Sequence, residues 1–149
     1  FELYKSAAAI DAGAAYQAAI MLDDGEPNPV DDVTLAAPLL KQAAEAGIVP
    51  AQSDYGRILF GGHGIAENRS EAAIWFRKAA EAQDIDGSFY WAVVNANGLG
   101  VPRNIEIAKT YANFARHQLP DAQRLYEQIL AFEARSSAPA QVPSTAPRN

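Results

Sequence analysis

The short segment Gly61–Gly64, with the sequence GGHG, stands directly before a run of residues that has helical spacing. Glycines near a helix start are typical of a phosphate-binding loop, in which backbone N–H groups surround the phosphate. They are equally typical of a tight turn between two packed helices, because glycine takes a positive φ angle at little cost. No strand signal precedes this segment and no Gly-Lys-Ser sequence follows it, so the turn is favoured over the phosphate loop.

Other residue types that carry chemistry are isolated from one another. His63 and His117 have no second histidine or cysteine close in sequence, so neither predicts a metal site. The chain contains no cysteine, which excludes disulfides and a cysteine nucleophile. Ser53 and Asp54 are adjacent, so on a helix they point about 100° apart and cannot form a nucleophile–base pair. We therefore predict no catalytic residue, no metal, no cofactor and no enzymatic activity.

One acidic segment, residues 23–32, is rich in carboxylate oxygens. Its acidic residues are Asp23, Asp24, Glu26, Asp31 and Asp32. Carboxylates can hold calcium, but their spacing here does not follow that of an EF-hand loop. The segment is predicted to be a solvated loop, and cation binding there stays an open alternative.

The composition predicts one ordered globular domain that does not bind nucleic acid or insert into a membrane. Of the 149 residues, 49% are hydrophobic and 20% are charged, as in ordinary domains. The formal net charge is −6, whereas phosphate binding relies on clustered Lys and Arg. No apolar run reaches the roughly 18 residues of a spanning helix. Because the chain begins with Phe1, we expect a processed piece of a longer protein, with a periplasmic or exported location weakly favoured over a cytoplasmic one.

A period of 36 residues organises the chain. A shift of 36 places Gly62 on Gly98 and Gly64 on Gly100. The same shift pairs Ile65 with Val101, Asn68 with Asn104, Ala72 with Ala108, Trp75 with Tyr111, Ala79 with Ala115 and Tyr55 with Trp91. A single phosphate loop would not recur with its flanking residues at a fixed period, so the repeat also favours the turn.

Each repeat is predicted to be a pair of helices. Apolar residues between positions 51 and 60 have helical spacing, and the glycines that follow end this first helix. Asn68 is a favourable N-cap, and Glu71 completes a capping-box pattern. The second helix is predicted from about Arg69 to Ala82, with an apolar stripe formed by Ala72, Trp75, Phe76 and Ala79.

These motifs resemble the Sel-1-like repeats, a family related to the tetratricopeptide repeats. The residues that match the family pattern in the middle unit are Ala51, Gly56, Gly62, Gly64, Ala72, Trp75, Phe76, Ala79 and Ala80. The next unit matches at Gly98, Gly100, Val101, Pro102, Ala108, Tyr111 and Ala115. The resemblance covers roughly residues 4–127 and implies an all-α fold, a right-handed α-solenoid of antiparallel helix pairs.

The resemblance also divides the chain. Residues 1–134 are expected to form the solenoid, with a part repeat at 1–12, repeats at about 13–49, 50–85 and 86–120, and a capping helix at 121–134. The Pro/Ser/Ala-rich residues 135–149 are expected to be a disordered tail. The first repeat departs from the pattern at Pro38, which removes one backbone hydrogen bond and is expected either to kink the second helix or to be tolerated near its start.

The first helices of such a stack are expected to line its concave side. Their non-core positions predict a partner-binding groove formed by Tyr16, Ile20, Ser53, Arg57, Phe60, Phe89, Val93 and Asn97. Contiguous exposed aromatic and aliphatic surface is typical of a binding site. The alternative is that these side chains pack against neighbouring helices, because helix faces wider than one stripe are common.

The preferred hypothesis is a non-enzymatic protein–protein interaction scaffold or regulatory adaptor, of bacterial origin, that holds a partner peptide or helix in this groove. The resemblance implies bacterial signalling, envelope or host-interaction roles. A second hypothesis is a small-molecule or peptidoglycan-fragment binder or hydrolase of the cell envelope, since cysteine-rich members of the family are linked to such ligands. This chain lacks their paired cysteines. A third is a structural spacer in a longer solenoid.

Overall fold

The computed structural model describes residues 11–22 and 32–138, and within these ranges it contains α-helices and no β-strand. The helices are α1 (Ala12–Leu22), α2 (Asp32–Glu45), α3 (Val49–Gly61), α4 (Arg69–Glu81), α5 (Ile85–Asn97), α6 (Ile105–Ala115) and α7 (Pro120–Ser137). Each helix packs against the next one along the chain. Helices α1–α2, α3–α4 and α5–α6 are therefore successive hairpins, and α7 packs on the last of them. This arrangement confirms the predicted all-α solenoid.

The turn glycines end the first helix of each of the last two hairpins. Gly62 follows α3 and Gly98 follows α5, each with a φ angle of 66°, in the left-handed region. The N–H of Gly62 donates to the Ile58 carbonyl, and the N–H of Gly98 donates to the Val94 carbonyl. Glycine suits such C-terminal caps because it has no Cβ to clash in this conformation.

Asparagine caps begin the second helices α4 and α6. The Oδ1 of Asn68 accepts from the N–H of Glu71 at 3.0 Å, and the Oδ1 of Asn104 accepts from the N–H of Ile107 at 3.1 Å. The N–H of each cap residue also donates to a carbonyl of the preceding first helix, at 2.8 and 2.9 Å. The connecting loop is therefore tied to both of its helices.

Small residues allow the helices to approach closely. The fully buried alanines include Ala15, Ala43, Ala51, Ala72, Ala79, Ala92, Ala108 and Ala112. At Gly87, near the start of α5, an added Cβ would clash with Ala79 of α4. Larger side chains, Tyr55, Trp75 and Phe76, fill the remaining space in the core. The edge of the Tyr55 ring meets Trp75 at a centroid distance of 5.7 Å.

The first helices are predicted to lie on the inner side of the stack. Helix α3 contacts α5, and α5 contacts α7, whereas the second helices of neighbouring hairpins make weaker contacts. Closer spacing on one side is what curves a stack of repeats toward that side. We call the surface formed by α1, α3 and α5 on this side the inner face.

Three predictions from the sequence can be compared with the helices: the effect of Pro38, the start of the tail and the placement of the outer segments. Helix α2 continues through Pro38, its seventh residue, whose side chain is exposed. Helix α7 extends to Ser137, so the first residues of the predicted tail are helical; the Ser137 hydroxyl donates to the Glu133 carbonyl at 2.9 Å. The rest of the predicted tail (139–149), most of the predicted part repeat (1–10) and most of the acidic segment (23–31) lie outside the described residues.

Candidate functional site

The predicted groove residues all lie on the first helices, but they differ in accessibility. Tyr16 and Ile20 belong to α1; Ser53, Arg57 and Phe60 to α3; and Phe89, Val93 and Asn97 to α5. Ile20 is 43% exposed, and Arg57 and Asn97 are also exposed. Tyr16, Phe60, Phe89 and Val93 are half-buried. All of these except Ser53 therefore retain surface that a partner can contact.

Ser53 lies beneath the inner face and is only 3% exposed. Its hydroxyl donates to Oδ2 of Asp84 at 2.9 Å. Asp84 is the N-cap of α5, and the same Oδ2 accepts from the N–H of Gly87 at 2.8 Å. Ser53 therefore connects α3 to the start of α5 and does not line the open surface. Helical spacing indicated which side of α3 carries Ser53, but it did not indicate that the side chain is buried.

Asp54 connects α1 to α3 at the centre of the inner face. The hydroxyl of Tyr16 donates to Oδ2 of Asp54 at 3.2 Å. Nη1 of Arg57 lies 3.4 Å from the other carboxylate oxygen. Sequence reasoning missed this role, because the equivalent position one repeat later is Tyr90 and no periodic signal marks Asp54.

The inner face is electronegative around this connection. The pKa of Tyr16 is raised to about 12, first by burial and then by the nearby carboxylates of Asp54, Asp84 and Asp86. Burial also raises the pKa of Asp54 above its usual value, although Arg57 and the Tyr16 hydroxyl pull it down and Asp86 adds to the increase. Negative charge is thus concentrated where α1, α3 and α5 meet.

The ring of Tyr90 contacts both Arg57 and Phe89. The guanidinium carbon of Arg57 lies 5.9 Å from the ring centroid of Tyr90. Tyr90 stacks on Phe76 of α4, with a centroid distance of 5.1 Å and an angle of 21° between the rings. The Phe89 ring lies 5.3 Å from the Tyr90 ring between centroids, at an angle of 53°. Arg57 and Phe89 therefore both contact a ring that is anchored in the core.

The remaining predicted residues flank this cluster. Phe60 packs against Phe76 at a centroid distance of 6.2 Å, and the Arg69 guanidinium lies 5.1 Å from the Phe60 ring centroid. Asn97 is near the C-terminal end of α5, where its Nδ2 donates to the Val93 carbonyl at 2.9 Å. The structure thus brings Tyr16, Arg57 and Phe89 together through Asp54 and Tyr90, and it leaves Phe60 and Asn97 at the margin.

Residues that could bind a metal ion are dispersed. Within residues 11–22 and 32–138, no group of three or more His, Cys, Asp or Glu side chains is arranged to hold a metal ion. His63 and His117 are both exposed. The described helices also include none that is long and apolar enough to span a bilayer.

Comparison with known proteins identifies the repeat. The Sel1 repeat model matches residues 12–48, 49–84 and 85–116. A Sel1 repeat protein from Oxalobacter formigenes has a similar structure, with a TM-score of 0.68 and 23% identity over 84% of this chain and 95% of that chain. No curated protein sequence matches the chain.

A second similar structure is that of a protective antigen present in uropathogenic Escherichia coli strains and displaying an SLR fold. Its TM-score is 0.68 and its identity is 23%, over 97% of this chain and 36% of that chain. This chain therefore spans about a third of the length of that protein. At this identity both likenesses concern the fold.

Proposed function

We propose that this chain, which belongs to the Sel1 repeat family, is a non-enzymatic scaffold that binds a segment of a partner protein on its inner face. Sel1 repeat proteins generally mediate protein–protein interactions, and the family is typically non-catalytic. The observation that supports the inner face is the cluster of Tyr16, Arg57 and Phe89, three large side chains from three helices. They are linked through Asp54 and Tyr90, and none of them is fully buried.

The cluster is preorganised for binding. The Tyr16–Asp54 and Ser53–Asp84 hydrogen bonds hold α1, α3 and α5 in place relative to one another. The ring of Tyr90 further limits the movement of its neighbours on the inner face. Because these groups are already ordered, a ligand loses little of its binding free energy to ordering them. Aromatic and arginine side chains of this kind commonly supply most of the affinity of an interface.

The electrostatics of the inner face favour a partner segment that carries a basic residue. Burial and, to a smaller extent, the negative charge of Asp86 disfavour the charged form of Asp54, as its raised pKa indicates. An incoming ammonium or guanidinium group would stabilise this charge. Phe89 and Val93, which are half-buried, offer apolar contact on the same helix as Asp86. We therefore propose a peptide or helix in which a basic residue lies next to an apolar one.

Affinity capture with matched variants tests this proposal. The test variant is Arg57→Ala/Phe89→Ala, and the control is Arg124→Ala/Phe114→Ala, which removes the same residue types from exposed positions on α7 and α6. Partners should be retained by the wild type and the control and lost by the test variant. For an identified partner segment, the test variant should bind about 2–4 kcal/mol more weakly.

Thermal unfolding shows first that both variants remain folded. Capture of the same partners by the test variant would overturn the assignment to the inner face. Stabilisation by muropeptides, without capture of a protein partner, would instead support the small-molecule or peptidoglycan-fragment alternative, because a bound ligand raises apparent stability by mass action.

A further inference from the structure

A second concavity lies on the second-helix side of the stack, between α4 and α6. We call it the outer cleft. Its volume is about 510 Å³, within the range of pockets that hold small ligands or a few residues of a peptide. Asn95 and Trp91 of α5 line it, together with Ile107 of α6. Its charged lining residues are Arg77 and Glu81 of α4 and Arg103 of the α5–α6 loop.

Asn95 brings an unpaired acceptor to this cleft. The residue is only 2% exposed, and its Nδ2 donates to the Trp91 carbonyl at 2.8 Å. Among the described residues, its Oδ1 has no hydrogen-bond partner, and neither does the indole N–H of Trp91; neither atom is fully buried, so both are open to the cleft. A ligand can therefore replace water at these two atoms. The cleft thus offers one acceptor and one donor to a ligand.

Two guanidinium groups are held at the rim of the cleft. Nε of Arg77 donates to Oε1 of Glu81 at 2.8 Å, which leaves the terminal nitrogens of Arg77 for a ligand. The guanidinium carbon of Arg103 lies 4.7 Å from the ring centroid of Phe132 on α7. Arg103 is therefore positioned by the last helix. Guanidinium groups bind carboxylates with paired, charge-assisted hydrogen bonds.

The preceding repeat shows that the fold does not require these residues. One repeat earlier, the position of Asn95 is occupied by Leu59, which is buried in the core. The position of Arg103 is occupied by Glu67, which pairs with Arg69 at 2.7 Å. Lys41 stands at the position of Arg77 and pairs with Glu45, so one basic rim residue is common to both sites. The polar floor at Asn95 and the second basic residue, Arg103, belong to the outer cleft alone among these two equivalent sites.

We propose that the outer cleft is a second binding site, for a short extended peptide segment that carries a carboxylate. A main-chain N–H of the peptide donates to Oδ1 of Asn95, and the carboxylate lies between Arg77 and Arg103. An apolar side chain of the peptide packs against Ile107. This site is independent of the inner face and selects the opposite charge, so the scaffold can hold an acidic and a basic segment together.

A random octapeptide display library tests this proposal. It is panned on the wild-type chain, with counter-selection on Asn95→Leu/Arg103→Glu, whose new residues are those that the preceding repeat already accommodates. Enriched peptides should share Asp or Glu, and their affinity should fall about tenfold or more with either single substitution. Arg103→Gln, which removes the charge but keeps a polar side chain, should have a similar effect. Arg57→Ala/Phe89→Ala should bind them unchanged.

Nuclear magnetic resonance provides a second measurement. The side-chain amide of Asn95 and the indole N–H of Trp91 should shift when an enriched peptide is added. The proposal is overturned if no enriched peptide discriminates between wild type and variant. It is also overturned if glutamine in place of the peptide's carboxylate residue binds equally well, or if the shifts fall on the inner face. The proposal for the inner face is tested by separate substitutions, Arg57→Ala/Phe89→Ala, so failure of the two proposals can be distinguished.

Discussion

The α3–α4 and α5–α6 hairpins have the same backbone caps but different interiors. Gly62 and Gly98 share a φ angle of 66°, and Asn68 and Asn104 make the same cap hydrogen bond. Inside the hairpins, however, Gly56 faces the ring of Phe76. The equivalent residues one repeat later are Ala92 and Ala112. The caps, which act locally, therefore set the path of the chain in both hairpins. The side chains that fill the interior differ from one repeat to the next.

The two interiors fill these equivalent positions with different amounts of side chain. A Cβ added at Gly56 would lie 2.7 Å from the Phe76 ring, so the large ring requires the absence of a side chain at position 56. Ala92 and Ala112 are both fully buried and together carry far less side-chain volume than Gly56 and Phe76. Because protein interiors are closely packed, each hairpin must match its neighbouring side chains to the pair that it contains.

Phe76→Ala should have the largest effect on stability. The side chain is only 1% exposed and contacts the rings of Phe60 and Tyr90. Its removal should lower the free energy of unfolding by about 3–5 kcal/mol, as for other large core truncations. Urea denaturation followed by circular dichroism measures this loss. Ala112→Gly at the equivalent position is the matched control and should cost about 1 kcal/mol. Equal losses of unfolding free energy at both positions would contradict the proposed difference between the two interiors.

Gly56→Ala should destabilise the wild type by about 1–3 kcal/mol, because the added methyl overpacks against the Phe76 ring. In the Phe76→Ala background the same change should be neutral or stabilising, since alanine is a better helix former than glycine by up to about 1 kcal/mol. Urea denaturation of the two single variants and the double variant gives the coupling free energy. Costs that simply add would contradict the steric coupling between these two positions.

Asn68→Ala and Asn104→Ala should have the smallest effects, and the two should be alike. Each removes the side-chain acceptor of one helix N-cap, which should lower the free energy of unfolding by about 1 kcal/mol. Thermal or urea unfolding measures both losses under one condition. Asn68→Asp and Asn104→Asp keep an acceptor and should retain most of the stability. A clear inequality between the two alanine variants would show that the caps, and not only the interiors, differ between the hairpins.

Much of the fold could be predicted from the sequence because its signals are local. The turn glycines and the capping asparagines recur at one period, and their effect on the backbone depends on a few neighbouring residues. The inner face was predicted only in part. Helical spacing placed Tyr16, Arg57 and Phe89 on the first helices, but it could not show that Asp54 and Tyr90 would connect them.

The sequence by itself determined the helix pairs, their caps and their order, since these follow from short-range periodicity. The tertiary structure alone decided which side chains remain accessible. Ser53 is buried because it meets Asp84 of the next repeat, and Asn95 lines a cleft because α4 and α6 stand apart above it. Burial depends on where residues distant in sequence pack. The sequence of one repeat does not show which of its side chains are buried, because burial depends on the contacts between repeats in the assembled stack.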